Sequence, residues 1–412
     1  MRTRFNIIIC VIAILAMCSC MKEIRKNDFN DESISGLIKI KIEMPEGHSY
    51  PLSGMTVFFS DPSTGMKYSA ETDEQGYAST RVAFGTYIAN TEAKFKASGG
   101  IINIINGTSD RIRITPEDGS ASATLKLNYS RSGQIIIKEI YYGGCLNTVT
   151  NKGYSKDQYF TLYNNSSEVA YLDSLCVGVV HPWNAPSNGR VSDWVKPGTT
   201  ELRDSIPCSN IGWMFDGKGK DIPLNPGEEI VVCLNGVDHT ATVPNSVNLG
   251  VPGYYALYHP LYTKTQSVPN AGVIPLNGFW KAGNSTAYIF SIASPGLFIF
   301  SLGGNSIEKF ISDCYTVNPK TPSNRNNDCL LVDKNLILDA VECFRNTTDS
   351  KRFRPENDNG YIRIPSTNSG YSVHRKIDEQ ATEEAGGRIV YMDTNNSTND
   401  FYVRDKAVLT GK

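Results

Sequence analysis

From Gly36 onward the chain is a succession of short β-rich runs, "LIKIKIEM", "MTVFFS", "YASTRVAF", "TYIANTEAKF", "RIRIT" and "SATLKLNY", separated by Gly, Pro, Asp and Asn. Runs this short leave no room for long helices, and no window beyond the N-terminal apolar segment sustains a 3.6-residue period with caps at both ends. An all-β chain is therefore expected, and 412 residues are enough for two or more cores. Within "TDEQGYASTRVAFGTYIA", Asp73 to Gly76 read as a tight turn between strands, and Gly85 as another before Tyr87. The spacing fits a small antiparallel, immunoglobulin-like sandwich over residues 36–130, each strand burying alternate residues against a facing sheet.

The pattern of that stretch resembles the carboxypeptidase-regulatory or transthyretin-like modules, which implies a spacer or interaction role. The polar, Gly-ended "NYSRSG" at 128–133 marks the expected junction with a larger β region, 131–412. Its opening, "IIIKEIYYGG" followed by "DQYFTLYNNSSEVAYLDSLCVG", resembles the lamin-tail type of immunoglobulin-like sandwich. The matching segments are Ile137 to Ile140, Tyr159 to Asn164 and Leu172 to Ser174; "IPLNPGEEIVVC" then matches a Pro-Gly turn into a buried strand. Thr161 stands where that pattern has Glu, and Ser174 where it has the turn Gly. The whole length is similar to the family called domain of unknown function 4876 from gut anaerobes, a resemblance that brings no assigned activity. Because the region is longer than a lamin-tail sandwich, residues 183–220 and 235–285 are expected to be insertions, where binding surfaces tend to sit.

Residues 15–23, "LAMCSCMKE", end an apolar stretch, Ile7 to Met17, that follows Arg2 and Arg4. A membrane-spanning helix needs about 20 apolar residues, so this segment reads as a signal. Ser19 before Cys20 resembles a bacterial lipobox, which implies a signal peptide over 1–19, an acyl chain on Cys20 and a tether over 20–35. An ordinary cleaved signal peptide is the alternative. Met21 rather than Asp after the cysteine implies outer-membrane delivery. The charged stretch from Lys22 to Glu32 resembles the export tags of surface lipoproteins in Gram-negative gut anaerobes, so the expected location is the cell surface. Without Arg2 and Arg4 the chain carries 38 basic and 42 acidic residues, which makes no electrostatic case for nucleic acid.

Seven cysteines follow Cys20: Cys145, Cys176, Cys208, Cys233, Cys314, Cys329 and Cys343. An odd number cannot pair fully, and no CxxC is present, so zinc and thioredoxin patterns are missing. Structural thiols are expected, with one disulfide, Cys314 to Cys329, left open for an oxidising compartment. The chain has no G-x-S-x-G, HExxH or Walker A sequence, and its five histidines are scattered. Glycosidase carboxylate pairs are invisible in sequence. "DTNNSTND" places Asp393, Asn395 and Asp400 where a calcium loop would put oxygen ligands, yet Thr398 and Arg404 occupy positions that an EF-hand gives to Gly and Glu. An Asx-turn loop is the competing reading.

"GYYALYHPLY" supplies Tyr254, Tyr255, Tyr258, His259 and Tyr262, and Trp183, Trp194, Trp213 and Trp280 lie in or beside the insertions. Exposed aromatic faces there would stack on sugars or fill a protein groove; buried, they would form the core of the insertions. Of this set Tyr254, Tyr255, Tyr258, His259, Tyr262, Trp183 and Trp280 are the candidate ligand platform. "DSL" at 173–175 and "DSI" at 204–206 resemble a short O-glycosylation motif. The reading is a non-enzymatic, lipid-anchored binding or accessory module, without cofactor, for an outer-membrane transporter or a glycan. A polysaccharide-active or metal-assisted hydrolase on the insertions, and a structural adhesin, are the alternatives.

Overall fold

The computed structural model describes residues 33–45, 49–96, 102–186 and 191–409; Cys20 and the charged stretch up to Glu32 lie outside them. The described residues form two compact units, one up to residue 95 together with 104–129, the other from residue 130 onward. Nearly everything described is strand, loop or turn, with three short helices, α1 (Ile307–Cys314), α2 (Glu379–Glu384) and α3 (Ser397–Asp400).

In the first unit β1 (Ser35–Glu43) alternates buried Ile38, Ile40 and Ile42 with exposed Leu37, Lys39 and Lys41. That two-residue period puts the three isoleucines on one face. β1 pairs antiparallel with β4 (Tyr77–Ala83) and parallel with β8 (Ser120–Lys126). The expected all-antiparallel arrangement is corrected at that second pairing. A second sheet runs in the order β3 (Lys67–Glu71), β2 (Thr56–Ser60), β5 (Gly85–Lys96), β6 (Ile102–Thr108), β9 (Asn128–Ser132), with β7 (Ile112–Ile114) on β5. The turn into β4 forms as read: Asp73 Oδ1 accepts from the N–H groups of Gln75 and Tyr77, and Gly76 has a φ of 79°.

The second unit is a sandwich of two large sheets. One runs β20 (Ile274–Pro275), β19 (Tyr255–Ala256), β18 (Glu229–Cys233), β13 (Tyr159–Asn164), β10 (Ile135–Tyr141), β26 (Ser372–Arg375), β27 (Phe401–Arg404). The other runs β23 (Tyr315–Thr316), β24 (Cys329–Asp333), β16 (Ser205–Met214), β15 (Cys176–Val180), β22 (Gly296–Phe300), β25 (Ile337–Glu342), with β21 (Asn277–Lys281) on β16. Two further two-stranded antiparallel pairs are present, the hairpin of β11 (Cys145–Asn147) with β12 (Lys152–Tyr154), and the long-range pair of β14 (Ala170–Tyr171) with β17 (Pro223–Leu224). Ile137, Phe160, Leu162 and Val373 of the first sheet meet Val177, Trp213, Ile299 and Val341 of the second in one core. Each such side chain contributes about 1.5–3 kcal/mol when fully buried.

β13, β15 and β22 are buried on both faces, which explains why "CVGVV" and "GLFIF" read as unbroken apolar runs. Phe310 of α1 joins Phe298, Phe300 and Leu330 on one outer face. On the other, Leu249 and Val273 cover Tyr141, Tyr159 and Cys233. The expected first insertion, 183–220, is corrected: β16 lies inside it and is a central strand, paired on β15, β24 and β21. All seven described cysteines are free, Cys314 and Cys329 included, and six of them are buried.

Two buried guanidinium groups tie this sandwich. Arg375 Nη2 donates to both oxygens of Asp339 at 2.7 and 2.8 Å, linking β26 of one sheet to β25 of the other. Arg375 Nε donates to the Ile137 carbonyl, and Asp339 Oδ2 accepts the Ile137 N–H, where β10 has a bulge between Ile137 and Glu139. Arg352 likewise binds Glu342 and the carbonyls of Pro182 and Ser294. Removing one partner of a buried pair leaves an uncompensated charge and costs about 3–5 kcal/mol. Arg375→Met is expected to lower the unfolding free energy by about that amount in urea titrations, whereas exposed Lys309→Met, at a surface pair with Asp313, is expected to change it by less than about 1 kcal/mol.

Candidate functional site

Asp173, in the "LDS" turn, shapes two open grooves. Ser174 adopts a φ of 61°, the left-handed conformation for which the resembled pattern uses Gly. The turn directs Asp173 toward the 216–222 loop, where its carboxylate accepts N–H bonds from Gly219, Asp221 and Ile222, each at 2.9 Å. Burial pushes the Asp173 carboxyl up, but these N–H donors outweigh it and hold it below the ordinary carboxylate value. Gly217 is needed for the approach, because a Cβ there would lie 2.1 Å from Asp173 Oδ1.

On one side of this turn lies a groove of about 430 Å³, lined by Asp216, Asp221, Ile222, Pro223, Tyr255, Ile274, Pro275 and Leu276. On the other lies a groove of about 380 Å³ that includes Tyr171, Asp173, Ser174, Gly303 and Leu338. Both volumes are of the size found for small-ligand sites, about 300–1,000 Å³. Tyr255 is fixed in the first groove by an edge-on contact with Phe215, ring centroids 4.9 Å apart.

Of the aromatic candidates, Tyr255 alone lines either of these grooves. Tyr254 and Tyr258 pack on Val231 and Cys233. Tyr262 is 1% exposed and stacks on Tyr288, with His259 beside it. Trp183 packs on the main core and donates to the Ile289 carbonyl; Trp280 packs on the Phe298 cluster. The single platform expected from sequence is thus corrected: its members are divided among three apolar clusters and one groove. Asp216, Asp221, Ile274 and Pro275 had no sequence signal, because no spacing rule joins residues brought together by separate strands.

The 393–400 loop binds a cation, but the cation is Arg375. Its Nη1 lies 3.2 Å from Asp393 Oδ1 and 3.4 Å from Asp400 Oδ2, and Asp400 also accepts the Thr394 N–H and hydroxyl. Asn395 is buried with a φ of 52°. Among the described residues no three His, Cys, Asp or Glu side chains are placed to hold a metal. The expected weak calcium site is replaced by an internal ion cluster, so the melting temperature is expected to be the same in calcium as in chelator; a rise of several degrees in calcium would contradict this assignment.

Three carboxylates facing one guanidinium leave excess negative charge. Burial pushes Asp339 up against the pull of Arg375, and burial pushes Asp400 up to about 6. Asp400 therefore binds its proton more tightly folded than unfolded. Its contribution to stability is full below about pH 4 and is lost as pH rises through about 6. Asp400→Asn is expected to flatten the stability profile between those values, measured by urea midpoints across pH.

Elsewhere, His374 is buried and burial pushes it down to about 4, so it is neutral at pH 7. Asp157 is pushed up to about 6 by burial, with the Tyr141 hydroxyl as donor. Glu139 takes the Ser372 hydroxyl and Arg404. None of these buried acids lines either groove. Of the two short glycosylation-like motifs, Ser174 is exposed and Ser205 is half-buried at the start of β16.

Residues 225–408 match the profile of a family described as "Protein of unknown function (DUF4876)". The chain is similar in structure to a DUF4876 family protein from Bacteroides thetaiotaomicron VPI-5482, with a TM-score of 0.56 and 20% identity over 89% of this chain and 94% of that one. That likeness establishes the shared all-β fold. A suspected adhesin from Bacteroides ovatus ATCC 8483 aligns over 84% of this chain and 98% of its own, with a TM-score of 0.24 and 8% identity. No functionally curated protein matches the chain.

Proposed function

We propose that this protein is an envelope lipoprotein, held by an acyl chain on Cys20, that works by binding a partner on the Asp173-shaped end of its C-terminal sandwich. The observation that carries the reading is the makeup of the 430 Å³ groove: a fixed aromatic ring, five apolar or proline residues and two rim carboxylates. Such a surface captures a ligand at equilibrium, with no bond made or broken. The buried acids Asp339, Glu342, Glu139 and Asp157 are bonded instead to Arg375, Arg352, Ser372 and Tyr141, and none of the four lines either groove. Aromatic and apolar contacts surrounded by polar groups are what concentrated binding energy requires.

What supports the anchor is the lipobox-like sequence around Cys20. A shared fold says nothing of the ligand, so the reading of a partner rests on the lining of the groove. Expression of the full chain in a Gram-negative host gives the test of anchoring. Wild-type protein is expected in the detergent-soluble membrane fraction, and Cys20→Ala in the aqueous fraction; equal membrane retention of both would overturn the lipid anchor. Crosslinking in intact cells before purification then reads the partner: a stoichiometric outer-membrane protein, or an attached polymer, is the expected companion.

A further inference from the structure

The main-chain pattern of the groove restricts what enters it. One wall is β17, paired on β14 with Tyr171 opposite Pro223, and the Leu172 N–H bonds to the Ile222 carbonyl. Along an antiparallel pair alternate residues turn their main chain toward the partner, so residue 223 turns away from it. The opposite wall is β20, where the N–H groups of Ile274 and Leu276 bond to the carbonyls of Tyr254 and Ala256. Residue 275 is then the one turned away from β19. Both outward positions are proline, which has a carbonyl but no N–H.

An incoming β-strand would need donors as well as acceptors from the edge it joins, so proline at both outward positions disfavours strand addition. The rest of the lining is also rich in acceptors. Asp216 Oδ1 takes the Asn277 amide and Asp221 Oδ2 takes the Lys218 N–H, which leaves each carboxylate a second oxygen without a protein donor among the described residues. Lys220 lies over the Tyr171 ring, 5.6 Å from its centroid, on the side of the other groove. Ile274, 45% exposed, offers an apolar contact beside Tyr255.

We propose that this groove takes an extended, polyproline-type polypeptide segment carrying lysine or arginine. A polyproline helix makes no internal hydrogen bonds and keeps its main chain solvated, so it needs no donors from the wall. It docks by laying proline or aliphatic side chains on aromatic and apolar surface, here Tyr255, Ile222, Ile274 and Leu276. A basic side chain then supplies the donors that Asp216 and Asp221 lack. The proposal rests on the reading that this groove is the recognition site, and it adds the chemistry of the partner.

Three fluorescent probes test it on the full chain: a proline-rich peptide with two arginines, the same peptide with glutamates in their place, and a neutral hexasaccharide. The arginine peptide is expected to bind at least about tenfold more tightly than the glutamate peptide, a difference of about 1.4 kcal/mol, and to weaken as salt rises. Asp216→Asn and Ile274→Asp, both at exposed positions, are expected to weaken it with the melting temperature preserved. Equal affinity for the two peptides, or arginine-peptide binding unaffected by both substitutions, overturns the proposal. Binding of the hexasaccharide alone, lost in Ile274→Asp, overturns the peptide assignment while the groove remains the recognition site. No binding of any probe overturns both.

Discussion

The contact between Arg375 and Asp339 is the interaction on which the C-terminal sandwich most depends. Strand register in a β-sandwich is set by the apolar pattern and the hydrogen-bond ladder, and a bulge disrupts that ladder locally. Here β10 carries a bulge, and the N–H and carbonyl of Ile137 are taken up by Asp339 and Arg375. One ion pair therefore satisfies the main chain of one sheet while joining it to β25 of the other. Asp393 and Asp400 draw the C-terminal loop onto the same guanidinium. Such a junction adds less net stability than its short distances suggest, because both charges are desolvated. What it supplies is a defined register at a place where the ladder is interrupted.

A second constraint follows from strands buried on both faces. Once β13, β15 and β22 are apolar throughout, each sheet needs an outer cover as well as a facing sheet. The 235–285 region provides part of that cover through Leu249, Ala256 and Val273, and its aromatic residues are mostly consumed in doing so. The remainder, Tyr255 with Ile274 to Leu276, forms the margin of the cover. This margin meets the loop shaped by Asp173, and the groove is the seam between them. Its polar rim and lack of edge donors thus arise from the same segments that complete the core.

The all-β class and the Asp73–Gly76 turn were legible because each depends on local rules of period and left-handed φ, whereas the "LDS" turn was legible only through its resemblance to the lamin-tail pattern, since Ser174 carries no local signal for its φ of 61°. The centrality of β16 was not. "SIPCSNIGWM" carries a proline and an Asn at φ 64°, features of an edge or loop, and only its pairing with three neighbours identifies it as a central strand. Tyr255 was legible as an aromatic in an inserted loop, but so were Tyr254, Tyr258 and Tyr262, which the fold assigns to packing. Nothing local marks which aromatic faces outward, since β19 is only two residues long and shows no period. Likewise the Asp393 to Asp400 oxygens look like cation ligands for a sound reason: they are, with the cation supplied by Arg375 at a separation that no spacing rule covers.

The seam beside Tyr255 is the recognition surface proposed for this protein. Site-specific photo-crosslinking on intact cells tests it most directly, with the crosslinker at Ile274 in the groove and, as a control, at Val149, which is 74% exposed and lines neither groove. A discrete polypeptide adduct is predicted from position 274 and none from position 149. The same adduct from both positions, or none from position 274 in a folded and correctly anchored protein, would contradict it.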